Sequence, residues 1–150
     1  MPDIALAWRA YGQAVREHAS IGRDIQLQVS FAVSTANGCR YCVLHQILGL
    51  RRLGVSPAKL VSMRKDDSQL TPREPAAVTF ARKVTRAPAS VTDEDFRALK
   101  SEFGEQGAAE VLLQTAAFSF MNRFTDGLRL PSEDEAIRTY RETYGADFLD

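Results

Sequence analysis

The chain has 150 residues, with 19 lysines and arginines against 19 aspartates and glutamates. That balance gives no electrostatic basis for nucleic acid or an anionic membrane as partner, and no apolar run approaches the twenty or so residues that span a bilayer. The length suits one domain, residues 1–150, whose core holds a fold without staples. The opening MPDIALAWRAYGQ has neither a basic n-region nor a long apolar h-region, so a cytoplasmic protein is expected.

In chain order, Asp3 is expected to cap a helix to about His18, with Ile4, Trp8, Tyr11 and Val15 on one stripe. RDIQLQVSFAVSTA carries Ile25, Val29, Ala32, Val33 and Ala36 at helical spacing, and Asn37-Gly38 stops it. A helix then begins near Cys39 and runs to Leu53, before Gly54. Ser56-Pro57 reads as an N-cap with proline at the first helical position. Thr71 to Glu74 has capping-box spacing and opens an amphipathic helix through Phe80 and Val84 to about Arg86. Thr92 to Asp95 starts another, stopped by Gly104. AAEVLLQTAAFSFMNRF is apolar nearly all round and is expected to be the central buried helix. Ser132 to Glu135 reads as a further capping box, for a polar last helix ending at Gly145. No stretch reads as a strand. The fold class is therefore all-α, a single-domain bundle of seven to eight helices with a CxxC at the N-terminus of one of them.

That CxxC sits in NGCRYCVLH, which holds both cysteines and one of the two histidines. On a helix, Cys39 and Cys42 place their Cα atoms roughly 5 Å apart, inside the disulfide window. The first helical turn favours a thiolate through its free N–H groups and dipole. His45 lies three residues beyond Cys42 on the same face and offers a base for its thiol. The helix end favours Cys39 as the attacking sulfur, and the adjacent base favours Cys42. The bland alternative is two small core side chains. A zinc site is the other, with Cys39, Cys42, His45 and a folded-back His18, or an acid, as ligands; His18 is more simply a solvated residue at a helix C-terminus. The thioredoxin version of CxxC follows a strand, and this one does not. No glycine-rich phosphate loop is present, so no nucleotide cofactor is expected, and nothing local supplies the fourth ligand of a closed zinc site, so no resident metal is expected either.

FAVSTANGCRYCVLH resembles the carboxymuconolactone decarboxylase superfamily, specifically its alkylhydroperoxidase D-like branch, and FSFMNRFTDGL, Phe118 to Leu128, resembles the family's last core helix. The likeness runs from about Asp24 to Leu130. It implies an all-α fold, a homo-oligomer (dimer, trimer or hexamer), and a dithiol peroxidase without cofactor. Cys42 would be the peroxidatic residue and Cys39 the resolving one, with His45 as the family histidine. The partners implied are a small hydroperoxide and a dithiol or disulfide reductant. Two positions depart from the pattern. The family histidine stands four residues after the second cysteine, and here it stands three after. The family's relay glutamate, twelve before the first cysteine, is here Leu27, flanked by Gln26 and Gln28; Asp24 and Glu17 are the nearest acids. Loss of the relay would leave disulfide exchange intact, so a non-enzymatic or redox-sensing oligomer is the second expectation. Decarboxylase chemistry fits poorly, since it leaves the cysteine pair unused. Arg40 and Arg51 are read as solvated surface rather than carboxylate binders. Trp8 and Tyr11 are read as buried under a terminal helix, or as covering a neighbouring subunit's site. Phe118, Phe120 and Phe124 are read as core or interface, and Asn122 with Asp126 as a buried polar contact.

Overall fold

A computed structural model describes residues 2–145, and every described regular element is helical. The helices are α1 (Pro2–His18), α2 (Arg23–Asn37), α3 (Arg40–Arg52), α4 (Pro57–Lys65), α5 (Glu74–Arg86), α6 (Asp93–Leu128) and α7 (Asp134–Tyr144), with one 3₁₀ turn at Pro88–Ser90. The all-α expectation holds.

Local chemistry sets most of the boundaries. Ser56 caps α4 by accepting from the Lys59 N–H, with Pro57 at the first helical position. Thr92 and Asp95 form a complete capping box on α6. Gly104 leaves helical geometry at φ 69°, ψ 179°, so α6 is two helical segments across a kink. A left-handed φ is nearly free for glycine alone.

Three start signals come out differently. Asp3 lies in the first turn of α1, behind Pro2, rather than capping it. Thr71 donates its N–H to Glu74 at 2.6 Å, but the N-cap of α5 is Arg73. The N-cap of α7 is Glu133, not Ser132. There, Arg52 binds both oxygens of Glu135 at 2.8 Å and removes the carboxylate the box needed.

The central helix is α2, packed against α3, α5 and α6. Ile25 to Ser34 are all buried. Leu27 and Phe31 join α3, α4 and α7 in one apolar cluster. Ile25, Val29 and Val33 join α5 and α6 in a second. The polar residues of α2 are buried because they are bonded: Ser30 and Ser34 donate to the carbonyls of Gln26 and Ser30 at 2.7 Å. The apolar segment of α6, expected at the centre, leaves Leu112, Leu113, Phe120, Phe124 and Leu128 exposed. Hydropathy cannot separate a face buried within the chain from one left outside it.

Candidate functional site

Two successive caps place the cysteines. Gly38 ends α2 at φ 73°, and the Cys39 N–H closes the turn on Ser34 O at 3.0 Å. This Schellman-type stop turns the chain so that Cys39 becomes the N-cap residue of α3. Its sulfur accepts from the Cys42 N–H at 3.4 Å, a part usually taken by a serine or aspartate oxygen. Both cysteines are free and buried.

From α6, the Thr125 hydroxyl lies 3.3 Å from Cys39 Sγ and 3.2 Å from Cys42 Sγ. A polar ladder fixes this register between α2 and α6. Gln114 donates to Ser30 Oγ at 2.8 Å, Asn122 to Ser34 Oγ at 3.0 Å, and Asn37 to Asn122 Oδ1 at 2.9 Å. Asn122 is thus the buried interhelical contact expected of it. Asp126 is exposed and lines a separate groove with Arg40 and Arg129.

The two thiols are driven apart in acidity. Cys42 is lowered to about 6, chiefly because the Cys39 thiol donates to its sulfur. Burial opposes this; hydrogen bonds from Thr125 and Asn122 reinforce it, and the Asp126 charge works against it. Cys39 is pushed up by that same bond with Cys42 and by burial. One negative charge shared by two sulfurs settles on the one with more donors.

Cys42 lines a cavity of about 250 Å³, together with His45 and Gln46 of α3, Gln114, Phe118 and Met121 of α6, and Trp8 and Tyr11 of α1. Cys39 is fully buried behind it and does not line it. His45 Nε2 lies 2.6 Å from Glu133 Oε2, at ion-pair distance but unaligned for a hydrogen bond. Its ring packs on Tyr41 at 4.3 Å. Tyr11 Oη, His45 Nε2 and Gln46 Oε1 are buried without a hydrogen-bond partner.

Cys39, Cys42 and His45 are therefore brought to one place. The relay substitutes are not. Leu27 lies in the apolar cluster with Val43 and Ile47. Gln26 is held by Arg23 and by the carbonyl of Ile21, and Gln28 by Glu74. Glu17 bonds Gln13, and neither it nor Asp24 lines the cavity. The acid against the histidine is Glu133, from the start of α7. His18 is exposed at the end of α1, 4.0 Å from Glu17 and away from the cysteines. Among the described residues no cluster of three metal-ligating side chains forms. Arg51 donates to Val55 O at 2.7 Å. Trp8 and Tyr11 wall the site of their own chain.

Sequence reasoning missed Thr125, Glu133 and Gln46. Gln46 carried a signal: it stands four after Cys42, the place of the family histidine. Thr125 and Glu133 lie more than eighty residues along the chain from Cys42, and nothing local marks them.

A helical bundle with two free cysteines at a helix start, one of them facing a cavity, defines a class of helical dithiol protein. The chain belongs to the carboxymuconolactone decarboxylase family, whose model matches residues 2–83. Its structure is similar to the alkylhydroperoxidase AhpD core of an uncharacterized peroxidase-related protein from Ralstonia eutropha JMP134 (28% identity, 90% of this chain and 73% of that one, TM-score 0.81). The fold is shared with the debrominase Bmp8, solved in complex with 2,3,4-tribromopyrrole (24% identity, 95% and 77%, TM-score 0.84). It is also shared with a protein of unknown function from Agrobacterium tumefaciens, described as a putative antioxidant defence protein AhpD (23% identity, 89% and 92%, TM-score 0.76). No curated protein matches the chain. No helix of the described residues is long and apolar enough to cross a membrane.

Proposed function

We infer that this protein is a thiol-dependent reductase of hydroperoxides. The observation that carries the reading is the asymmetry of the pair: Cys42 faces a cavity, while Cys39 stands behind it, one turn away and on the same threonine hydroxyl. The Cys42 thiolate attacks the distal peroxide oxygen. The O–O bond breaks, Cys42 becomes a sulfenic acid, and the alkoxide leaves as an alcohol after taking one proton. His45, which lines the cavity, supplies that proton. The Cys39 thiol then attacks the Cys42 sulfur. An S–S bond forms, the S–O bond breaks, and water leaves. An external dithiol restores both thiols by exchange and is itself oxidised to a disulfide. Two free thiols suit a reducing, cytoplasmic setting.

The test is peroxide consumption with a dithiol reductant, for wild type and Cys42→Ser. The expected result is a loss of at least about a thousandfold in the variant. Equal, slow rates for both proteins sink the reading.

The exposed apolar face of α6, with Ile4 and Leu6 of α1 also exposed, further supports a homo-oligomer closing over these residues. A monomer in sedimentation at micromolar concentration would refute it.

A further inference from the structure

Arg16, in the last turn of α1, and Arg23, at the start of α2, both line the cavity that reaches Cys42. Burial and the Arg16 charge hold the Arg23 guanidinium below its ordinary value, so the two cations feel each other. Where other cations of the chain are held close to an acid, as in Arg52–Glu135, Arg82–Asp67 and Lys100–Glu105, none of them lines this cavity. Among the described residues, Arg16 and Arg23 have no carboxylate at ion-pair distance. Arg23 spends one N–H on Gln26 Oε1 at 3.0 Å, leaving the rest of its fork open.

The interior of the same cavity is also short of partners. Gln46 is 7% exposed, and its amide oxygen accepts nothing. Tyr11 Oη is buried and unbonded as well. Buried polar atoms of this kind are normally satisfied, and here they converge on one space. The rings of Trp8, Tyr11 and Phe118 line the same cavity. A cavity of about 250 Å³ falls just below the roughly 300–1,000 Å³ of most ligand pockets. That volume suits a single aromatic ring.

We propose that this cavity takes an aromatic carboxylate, and that the peroxide reduced at Cys42 is one carried by such an acid. The carboxylate sits at Arg16 and Arg23, the ring lies against Trp8 and Phe118, and the hydroperoxide O–H donates to Gln46 Oε1 while its distal oxygen meets Cys42. The redox balance is that given above, with the aromatic alcohol as product. Guanidinium forks match a carboxylate bidentately, which a neutral ester or amide cannot reproduce. The proposal rests on Cys42 as the residue that meets substrate.

The test separates binding from turnover. Trp8 is the chain's single tryptophan, so its fluorescence reports the cavity. Para-isopropylbenzoate is expected to bind about tenfold more tightly than para-isopropylbenzamide. Arg23→Gln and Arg16→Gln, both checked for helicity by circular dichroism, are each expected to bring that ratio to about one. In turnover, para-carboxycumyl hydroperoxide is expected to exceed its methyl ester by a similar factor in kcat/KM, and the same variants to remove the difference. Equal binding of acid and amide by wild type, or a preference that survives both substitutions, overturns the proposal. Preference for the acid with no peroxide consumption leaves the carboxylate site standing and sinks the peroxidase reading. Consumption with no preference does the reverse.

Discussion

Two buried polar clusters flank α2, and they are built on opposite principles. In one, the Glu74 carboxylate is filled: Lys59 Nζ at 2.7 Å and Gln28 Nε2 at 2.6 Å share Oε1, and the Thr71 N–H takes Oε2 at 2.6 Å. The Glu74 carboxylate itself is fully paired. In the other, the Cys42 thiolate is held by donors on one side and faces a cavity on the other, beside Tyr11 Oη and Gln46 Oε1, which have no hydrogen-bond partner. Both clusters bury chemistry that water would otherwise solvate. A charge enclosed by partners holds helices together, and a charge enclosed on one side only is available to a visitor.

This contrast can be broken in three ways. The largest effect is expected from Cys39→Ser, which removes the resolving thiol and leaves the cavity intact. Catalytic turnover should fall at least about a thousandfold, while Cys42 should still accept one oxygen per chain, trapped by dimedone and read by mass spectrometry. A Cys42 that fails to react would move the chemistry to the other sulfur. Next, Glu74→Ala should cost about 3 kcal/mol, the low end for removing one partner of a buried ion pair, as a lower urea midpoint. The rate per folded molecule should be unchanged, and a large loss of that rate would end the division between the two clusters. The same carboxylate predicts acid behaviour. Burial alone would raise it, but Lys59, Gln28 and Thr71 outweigh burial and hold it low. Its contribution is therefore complete above the ordinary glutamate value of 4.5 and is lost as pH falls through the lower folded value. The alanine variant should lose less stability over that interval. The smallest effect is expected from Thr125→Val. Without the hydroxyl, the midpoint for alkylation of Cys42 should rise from about 6, and its alkylation at that pH should slow about tenfold.

What the sequence discloses follows the range of the interaction. Gly38, Gly104, Ser56-Pro57 and Thr92–Asp95 act on neighbours within a few residues, and each boundary they mark is present. Cys39, Cys42 and His45 share one helix, so their proximity is legible from spacing. The burial of α2 is not, because Gln28 donates inside to Glu74, and Ser30 and Ser34, which donate locally, also accept from Gln114 and Asn122, all distant in sequence. Thr125 and Glu133 reach the site by the same long route. The exposed side of α6 misleads for a related reason: hydrophobic residues record that something covers them, without saying whether it belongs to the same chain.

The sulfur that caps α3 has a further consequence. A thiol or thiolate at Cys39 can hold the Cys42 amide; a sulfur already spent in a cystine bond is a far poorer acceptor and is pulled toward its new neighbour. The opening turn of α3 is thus tied to the electron count of the pair. Deuterium uptake at that one amide becomes a gauge, built into the backbone, of whether the protein has fired or been recharged.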